Sequence, residues 1–287
     1  MTKARSSTRK PGEKRVTTVS LVLFFCFLAF IFLIPFIAIL LTSFKDSSTI
    51  IRNGFNLQIS PETFTLENYP YLFTGDHDYF RWFGNSLFVT ITQTVLTLLV
   101  SAWVGFGFAF YKFKGKNLLF VCVLIEMMIP FEILMLPMYR EIVSLKLTNH
   151  FIGIMLPYLA HPMAIFFFRQ YLQSLPKEIL DAGRIDGCSE YGIFFRLIMP
   201  IMKPAFAAMA IYVGMYSWNN YLWPLLVLSD SKKFTLPIGL TSLLGPYGNN
   251  YTLLVSGAVM SVLPIMILFY LAQRFFIEGM STGSVKG

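Results

Sequence analysis

With 287 residues, 55% hydrophobic and only 13% charged, the chain falls well short of the roughly 25% charged residues of a soluble domain. That deficit and its long apolar runs place it among membrane proteins and exclude an ordinary soluble enzyme. The net charge of +8 would suit nucleic acid. The basic residues, however, cluster between apolar runs in the way that sets membrane topology.

A bilayer core about 30 Å thick needs roughly 20 apolar residues in a helix. Six stretches meet that need in chain order. A basic segment, residues 1–15, precedes the first, Val16 to Phe44. That run is too long for the apolar region of a signal peptide and no small-x-small site follows, so it is expected to be an uncleaved first span. An outer loop of about Lys45 to Phe83 comes next, and its TLENYPYLF predicts a short amphipathic helix capped near Thr65. The second span covers Gly84 to Tyr111. The third, Asn117 to Tyr139, is apolar apart from Glu126 and Glu132, and the fourth runs from Leu147 to Phe168. A polar loop, Arg169 to Lys203, leads into the fifth, Pro204 to Ser229. After a stretch rich in Gly, Pro and Asn, Thr252 to Gln273 forms the sixth.

Lys and Arg concentrate in the N-terminal tail, at Lys112, Lys114 and Lys116, in the 169–203 loop, and at Arg274 and Lys286. The positive-inside rule puts these segments and both termini in the cytoplasm. Cys26, Cys122 and Cys188 lie in or beside apolar stretches without a CxxC, and His77, His150 and His161 show no ligand spacing. No disulfide framework or metal site is expected, and the histidines read as structural or surface residues.

The 169–203 loop is the one long cytoplasmic segment, and it contains LPKEILDAGRIDG. Pro176 suits a first helical turn, and Glu178 and Asp181 sit near the positive end of the helix dipole. Ile179, Ala182, Gly183 and Asp186 recur at i, i+3, i+4 and i+7 and share one face. The small pair at its centre lets another surface approach the backbone, so this face is expected to be exposed for docking. Gly187 suits the left-handed turn that ends a helix, and Ser189 caps a second helix running to Pro200. An amphipathic helix resting on lipid headgroups accounts for the same residues. A DNA-binding helix-turn-helix fits poorly, because the loop is tethered at both ends and holds four acids.

These residues resemble the EAA loop of bacterial ABC importer permeases. Asp181-Ala182-Gly183 stands at the Glu-Ala-Ala position and Gly187 at the glycine; Leu197-Ile198-Met199-Pro200 stands at Ile-x-Leu-Pro. FTLENYPYLF, FRWFGNSL, SWNNYLWPLLVL and EGMSTGSVKG, in that order, are similar to the second permease of maltose-type sugar importers. The resemblance implies an all-α membrane protein of the type I importer fold, with six transmembrane helices and a cytoplasmic coupling helix. It implies a basic cytoplasmic tail at 1–15 and a transmembrane permease domain at 16–274, with its coupling loop at about 173–203. A cytoplasmic tail follows at 275–287, with Lys286 facing the ATPase. The implied location is the bacterial cell (inner) membrane, in contact with membrane lipid.

The implied cargo is a sugar or oligosaccharide delivered by an extracytoplasmic sugar-binding protein. The implied partners are a second permease subunit and a dimer of ATP-binding subunits; no nucleic acid is expected. Glu178, Asp181, Ala182, Gly183, Asp186, Gly187 and Pro200 would carry coupling to the ATPase. The chain contains no GxxxxGK[ST], so no cofactor and no ATPase site of its own are expected, ATP and Mg belonging to the partner. A glycerol-phosphate-type importer and a nucleotide-independent secondary transporter are the alternatives. A membrane enzyme lacks support, since no nucleophile, metal set or HExxH accompanies the glutamates.

Two groups are candidates for the substrate path. Glu126 and Glu132 are costly inside a bilayer, and the third helix would point them about 120° apart unless Pro130 kinks it. Each either lines the path or is neutralised by a neighbour. Trp218, Asn219, Asn220 and Tyr221 combine aromatic faces with amides, which suits sugar rings and equally suits an interfacial aromatic belt. No Lys or Arg lies mid-span, which favours a neutral ligand.

Overall fold

The computed structural model describes residues 11–283 except 55, 56, 59, 75, 76, 246 and 247. Lys286 and its expected contact therefore lie outside the described residues. Three helices are long and apolar enough to cross a membrane, and three bent pairs bring the number of spans up to six.

Helix α1 (Pro11–Thr42) is 32 residues long, about 48 Å. The large side chains along most of its length are exposed. Helix α2 (Ser47–Asn53) is capped by Asp46, whose carboxylate accepts the N–H groups of Ser48 and Thr49. Helix α3 (Asn68–Thr74) is the predicted short helix, and Thr65 Oγ1 accepts the N–H of Glu67 just ahead of it. Asn68 is buried and donates from Nδ2 to the carbonyls of Ser43 at 2.7 Å and Lys45 at 2.8 Å. It thereby ties the end of α1 to the outer loop.

Helix α4 (Tyr79–Phe110) is the central post. It packs along α8 and α12 more extensively than any other pair of elements does. Small residues permit this closeness: a Cβ on Gly105 would stand 2.9 Å from Phe168 Cβ and 3.1 Å from the Arg169 nitrogen.

The third span departs from the expected single helix. Helices α5 (Lys116–Glu126) and α6 (Phe131–Ser144) meet at 107°, with Pro130 at the start of α6. Glu126 and Glu132 therefore sit on two helices, not on one face-offset helix. Proline restricts the residue before it and removes a donor, so the chain leaves α5 and restarts. The fourth span is also divided: α7 (Phe151–Met155) and a 3₁₀ turn (Leu156–Tyr158) lead to α8 (Pro162–Gln173) across a 43° bend.

After α8 come α9 (Glu178–Ile185), α10 (Glu190–Gly192), a π-helical segment (Ile193–Ile198) and α11 (Met199–Ile201). An 80° corner then leads into α12 (Lys203–Trp218). The expected fifth span is not continuous either: α12 ends at Trp218 and α13 (Leu222–Val227) follows a break. Helix α14 (Leu236–Ser242) precedes a two-stranded hairpin, β1 (Leu244–Gly245) and β2 (Gly248–Asn249). Helix α15 (Tyr251–Gly283) runs beyond Gln273, so the EGM stretch expected in the C-terminal tail is helical.

One buried cluster joins α4 (Leu98, Ala102, Phe106), α8 (Phe168, Leu172), α9 (Leu180), the π segment (Ile193, Phe194, Ile198) and α12 (Met209, Val213). The loop is thus welded to the bundle through apolar contact.

Candidate functional site: the 178–201 loop and the central cavity

Helix α9 forms as its capping residues dictate. Gly187 adopts φ +76°, and the Cys188 N–H donates to the Gly183 carbonyl at 2.9 Å, closing the helix end in a left-handed turn. Ser189 Oγ accepts the Gly192 N–H at 3.2 Å and caps the next turn. Both caps follow the sequence reading.

The docking face follows it only in part: Ala182 and Asp186 are exposed as expected, whereas Ile179 and Gly183 turn inward. Leu180 is 3% exposed and Gly183 is buried; Ile179 packs against the same core. A Cβ on Gly183 would stand 2.7 Å from Leu197 Cδ1 and 3.1 Å from Ile193 Cγ1. The glycine therefore seats α9 against the π segment rather than receiving a partner. The exposed face includes Glu178, Asp181, Ala182, Ile185 and Asp186, with Arg184 exposed beside them. Ile185 is 85% exposed, an apolar knob among acids. Sequence reasoning missed it, although an isolated isoleucine one turn beyond Asp181 was the available signal. Pro200 is exposed on α11, at the corner before α12.

Arg184 braces this loop. Its Nε donates to Glu190 Oε1 at 2.8 Å, its Nη2 to Glu190 Oε2 at 3.4 Å and its Nη1 to Asp181 Oδ1 at 3.3 Å. The Tyr111 hydroxyl, at the end of α4, is hydrogen-bonded to Glu190 Oε2. The Arg184 hydrogen bond and then the Tyr111 hydroxyl hold the Glu190 carboxyl below its ordinary range. Glu190 in turn raises the Arg184 guanidinium further.

The membrane-path candidates scatter. Glu126 ends α5 and lines a cavity of about 210 Å³ shared with Phe131, Tyr158, His161, Tyr212 and Tyr216. Glu132 is exposed in the first turn of α6 and does not line it. Asn220 reaches the cavity wall, donating to the Tyr158 hydroxyl at 3.2 Å. Trp218 is buried instead against α15, donating from Nε1 to the Ser261 carbonyl at 3.1 Å, with Phe83 edge-on at 5.6 Å. Asn219 bonds back to the Met215 carbonyl at 2.9 Å, and Tyr221 packs on the cluster around Trp223. His161, Tyr212 and Tyr216 escaped the sequence reading, because no local pattern links residues that only the fold brings together.

Residues 97–282 match the family model described as "Binding-protein-dependent transport system inner membrane component". The chain is 50% identical over 279 residues to the arabinooligosaccharides transport system permease protein AraQ of Bacillus subtilis, covering 97% of this chain and 99% of that protein. It is 52% identical over 263 residues to AraQ of Halalkalibacterium halodurans, covering 92% and 94%. A chain in the crystal structure of a bacterial ABC transporter involved in the import of the acidic polysaccharide alginate superposes with a TM-score of 0.76. That alignment covers 96% of this chain and 99% of the other at 19% identity, a likeness of fold. The chain thus belongs to the family of binding-protein-dependent transport system inner membrane components, as an ABC importer permease.

Proposed function

We propose that this permease carries oligosaccharides, arabinose-containing ones first among them, into the cell under ATP hydrolysis by a partner subunit. The cargo is argued from near-full-length identity of 50% to a permease named for arabino-oligosaccharides. The coupling is argued from one observation: α9 presents an exposed face with a protruding Ile185 while its inner face is locked to the bundle.

The mechanism follows from that arrangement. The distribution of basic segments supports a cytoplasmic position for the α9 end of the bundle and for both termini, in the cell (inner) membrane. Glu178, Asp181, Ala182, Ile185 and Asp186 seat in a cleft of one ATP-binding subunit, which holds ATP and Mg. Closure of that dimer displaces α9. Leu180 and Gly183 hand the displacement to Ile193 and Leu197, and the shared core passes it to α4, α8 and α12. Packed cores move between discrete arrangements rather than bending continuously, so the spans rock between two states. A second permease completes the pore, and an extracytoplasmic sugar-binding protein delivers the cargo.

The test is uptake of labelled arabino-oligosaccharide by proteoliposomes holding the complete transporter. Uptake is expected to require both ATP and the binding protein, and Ile185→Asp is expected to abolish it by releasing the ATP-binding subunits. Uptake that proceeds without ATP would make the protein a secondary transporter. Uptake of glycerol phosphate in place of sugar would establish the other alternative.

A further inference from the structure

Two spans are interrupted around one cavity. The α5–α6 break at Met127–Pro130 and the break between Tyr158 and Pro162 both open onto the 210 Å³ cavity, which Tyr212 and Tyr216 of α12 also line. The first break divides its span into helices of 11 and 14 residues, so it lies near mid-span. Backbone interrupted at membrane depth is tolerated only where protein buries it or where it lines a water-filled cavity. Two interruptions meeting at the same wall bring free backbone at membrane depth to this cavity, whose lining is largely apolar with a few polar groups.

Its wall has a particular chemistry. Tyr158 stacks on Phe131 with centroids 5.3 Å apart, and Tyr216 stands edge-on to Tyr158 at 5.4 Å. His161 stands edge-on to Tyr212 at 5.7 Å and to Tyr216 at 5.8 Å. His161 Nδ1 is buried and has no hydrogen-bond partner among the described residues, which is costly unless a ligand or water supplies one. Glu126 adds carboxylate acceptors, and no Lys or Arg is among the lining residues.

We infer that this cavity is a sugar-contact site carried by this subunit itself, selective for neutral sugar units. Glu126 accepts hydrogen bonds from ring hydroxyls, and His161 Nδ1 takes one more. The tyrosine faces receive the apolar C–H side of the ring and the Tyr216 hydroxyl hydrogen-bonds a ring hydroxyl, as convergent polar groups on an aromatic wall do in small-molecule sites. No cation among the lining residues is present to pair with a uronic acid or a sugar phosphate, so the site favours neutral cargo. The inference rests on the transport reading above and deepens it.

The experiment uses the complete transporter in proteoliposomes. Glu126→Gln and Tyr216→Phe each remove one polar function with almost no change of volume. Arabino-oligosaccharide imported per ATP hydrolysed is expected to fall about ten-fold in Glu126→Gln, the loss of one good hydrogen bond to the cargo, and less in Tyr216→Phe. Met163 also lines the cavity. In a background with Cys26, Cys122 and Cys188 replaced by serine, maleimide labelling of Met163→Cys is read with saturating binding protein and a non-hydrolysable ATP analogue. Arabino-oligosaccharide is expected to protect that cysteine, and Glu126→Gln to abolish the protection. Labelling indifferent to sugar, with import per ATP unchanged in both variants, overturns the inference while leaving ATP-driven import intact. A wild-type transporter that imports no sugar overturns the transport reading, and this inference with it.

Discussion

The hydroxyl of Tyr111, at the end of α4, is hydrogen-bonded to the carboxylate of Glu190, 79 residues further along the chain. The same carboxylate holds Arg184 of α9 at 2.8 Å. One acid therefore connects the central post to the helix proposed to meet the ATPase.

Tyr111→Phe and Glu190→Gln are expected to weaken transmission more than folding. Arg184 and Glu190 are each 44% exposed and Tyr111 is half-buried, and ion pairs and hydrogen bonds open to solvent in this way contribute little to stability. Sugar imported per ATP hydrolysed should fall several-fold in both variants, while the unfolding midpoint changes little. Equal import per ATP in wild type and variants would remove the link from the coupling route.

The same contact has a pH signature with a definite sign. Arg184 and Tyr111 depress the folded-state pKa of Glu190 below its unfolded value. Such a carboxylate stabilises the fold above the unfolded pKa and loses that contribution as pH falls through the folded one. The small gap in unfolding midpoint between wild type and Glu190→Gln is thus expected to stay constant through the neutral range and to close on acidification. A gap that widens on acidification would contradict the contact.

Two glycines make opposite predictions. At Gly183 an added Cβ meets Leu197 Cδ1, the tip of a flexible side chain. The helix gains about 1 kcal/mol from alanine, which offsets the small adjustment, so Gly183→Ala is expected to be near neutral. Gly183→Val drives bulk into Ile193 and should cost about 1–3 kcal/mol. At Gly105 the Cβ meets Phe168 Cβ and the Arg169 nitrogen, which move only if α8 moves. Gly105→Ala is therefore expected to cost about 1–3 kcal/mol despite the better helix former. Thermal unfolding of the detergent-solubilised chain separates the two.

Asn68→Ala is expected to destabilise the chain by about 2 kcal/mol, because it removes the two hydrogen bonds that a buried amide makes to the Ser43 and Lys45 carbonyls. Hydrogen exchange should rise first in α3, which this amide ties to the end of α1. Uniform exchange across the chain would argue against a local latch.

Much of the fold was legible because a bilayer imposes length and apolarity on each span, and both can be counted along the chain. The turn at Gly187 and the cap at Ser189 were legible for a related reason, since each depends on residues within one turn of helix. What escaped depends on distant partners. Pro130 announced a disturbance, but the 107° redirection also reflects where α6 packs against α13. Helical spacing put Ile179, Ala182, Gly183 and Asp186 on one face, yet only the packing of Leu180 and the π segment decides that Ile179 and Gly183 turn inward while Ala182 and Asp186 stay exposed. Trp218 read as a path residue, and its indole is used to hold α12 on α15. The cavity draws on α5, α6, α8 and α12, and no single window of sequence contains it.

Helix α1 leaves a different kind of mark. Thr42 and Ser43, at its end, are fully buried, whereas Phe24, Phe32 and Leu33 are more than half exposed. Shrinking a core side chain is penalised because a void remains behind it. Among the described residues nothing closes over those three, so no void opens among them when they change. Evolutionary drift among Leu, Ile, Val and Phe should run freely along this helix as long as its reach across the bilayer is kept, and should stall at Ala102, where every neighbour is already in place.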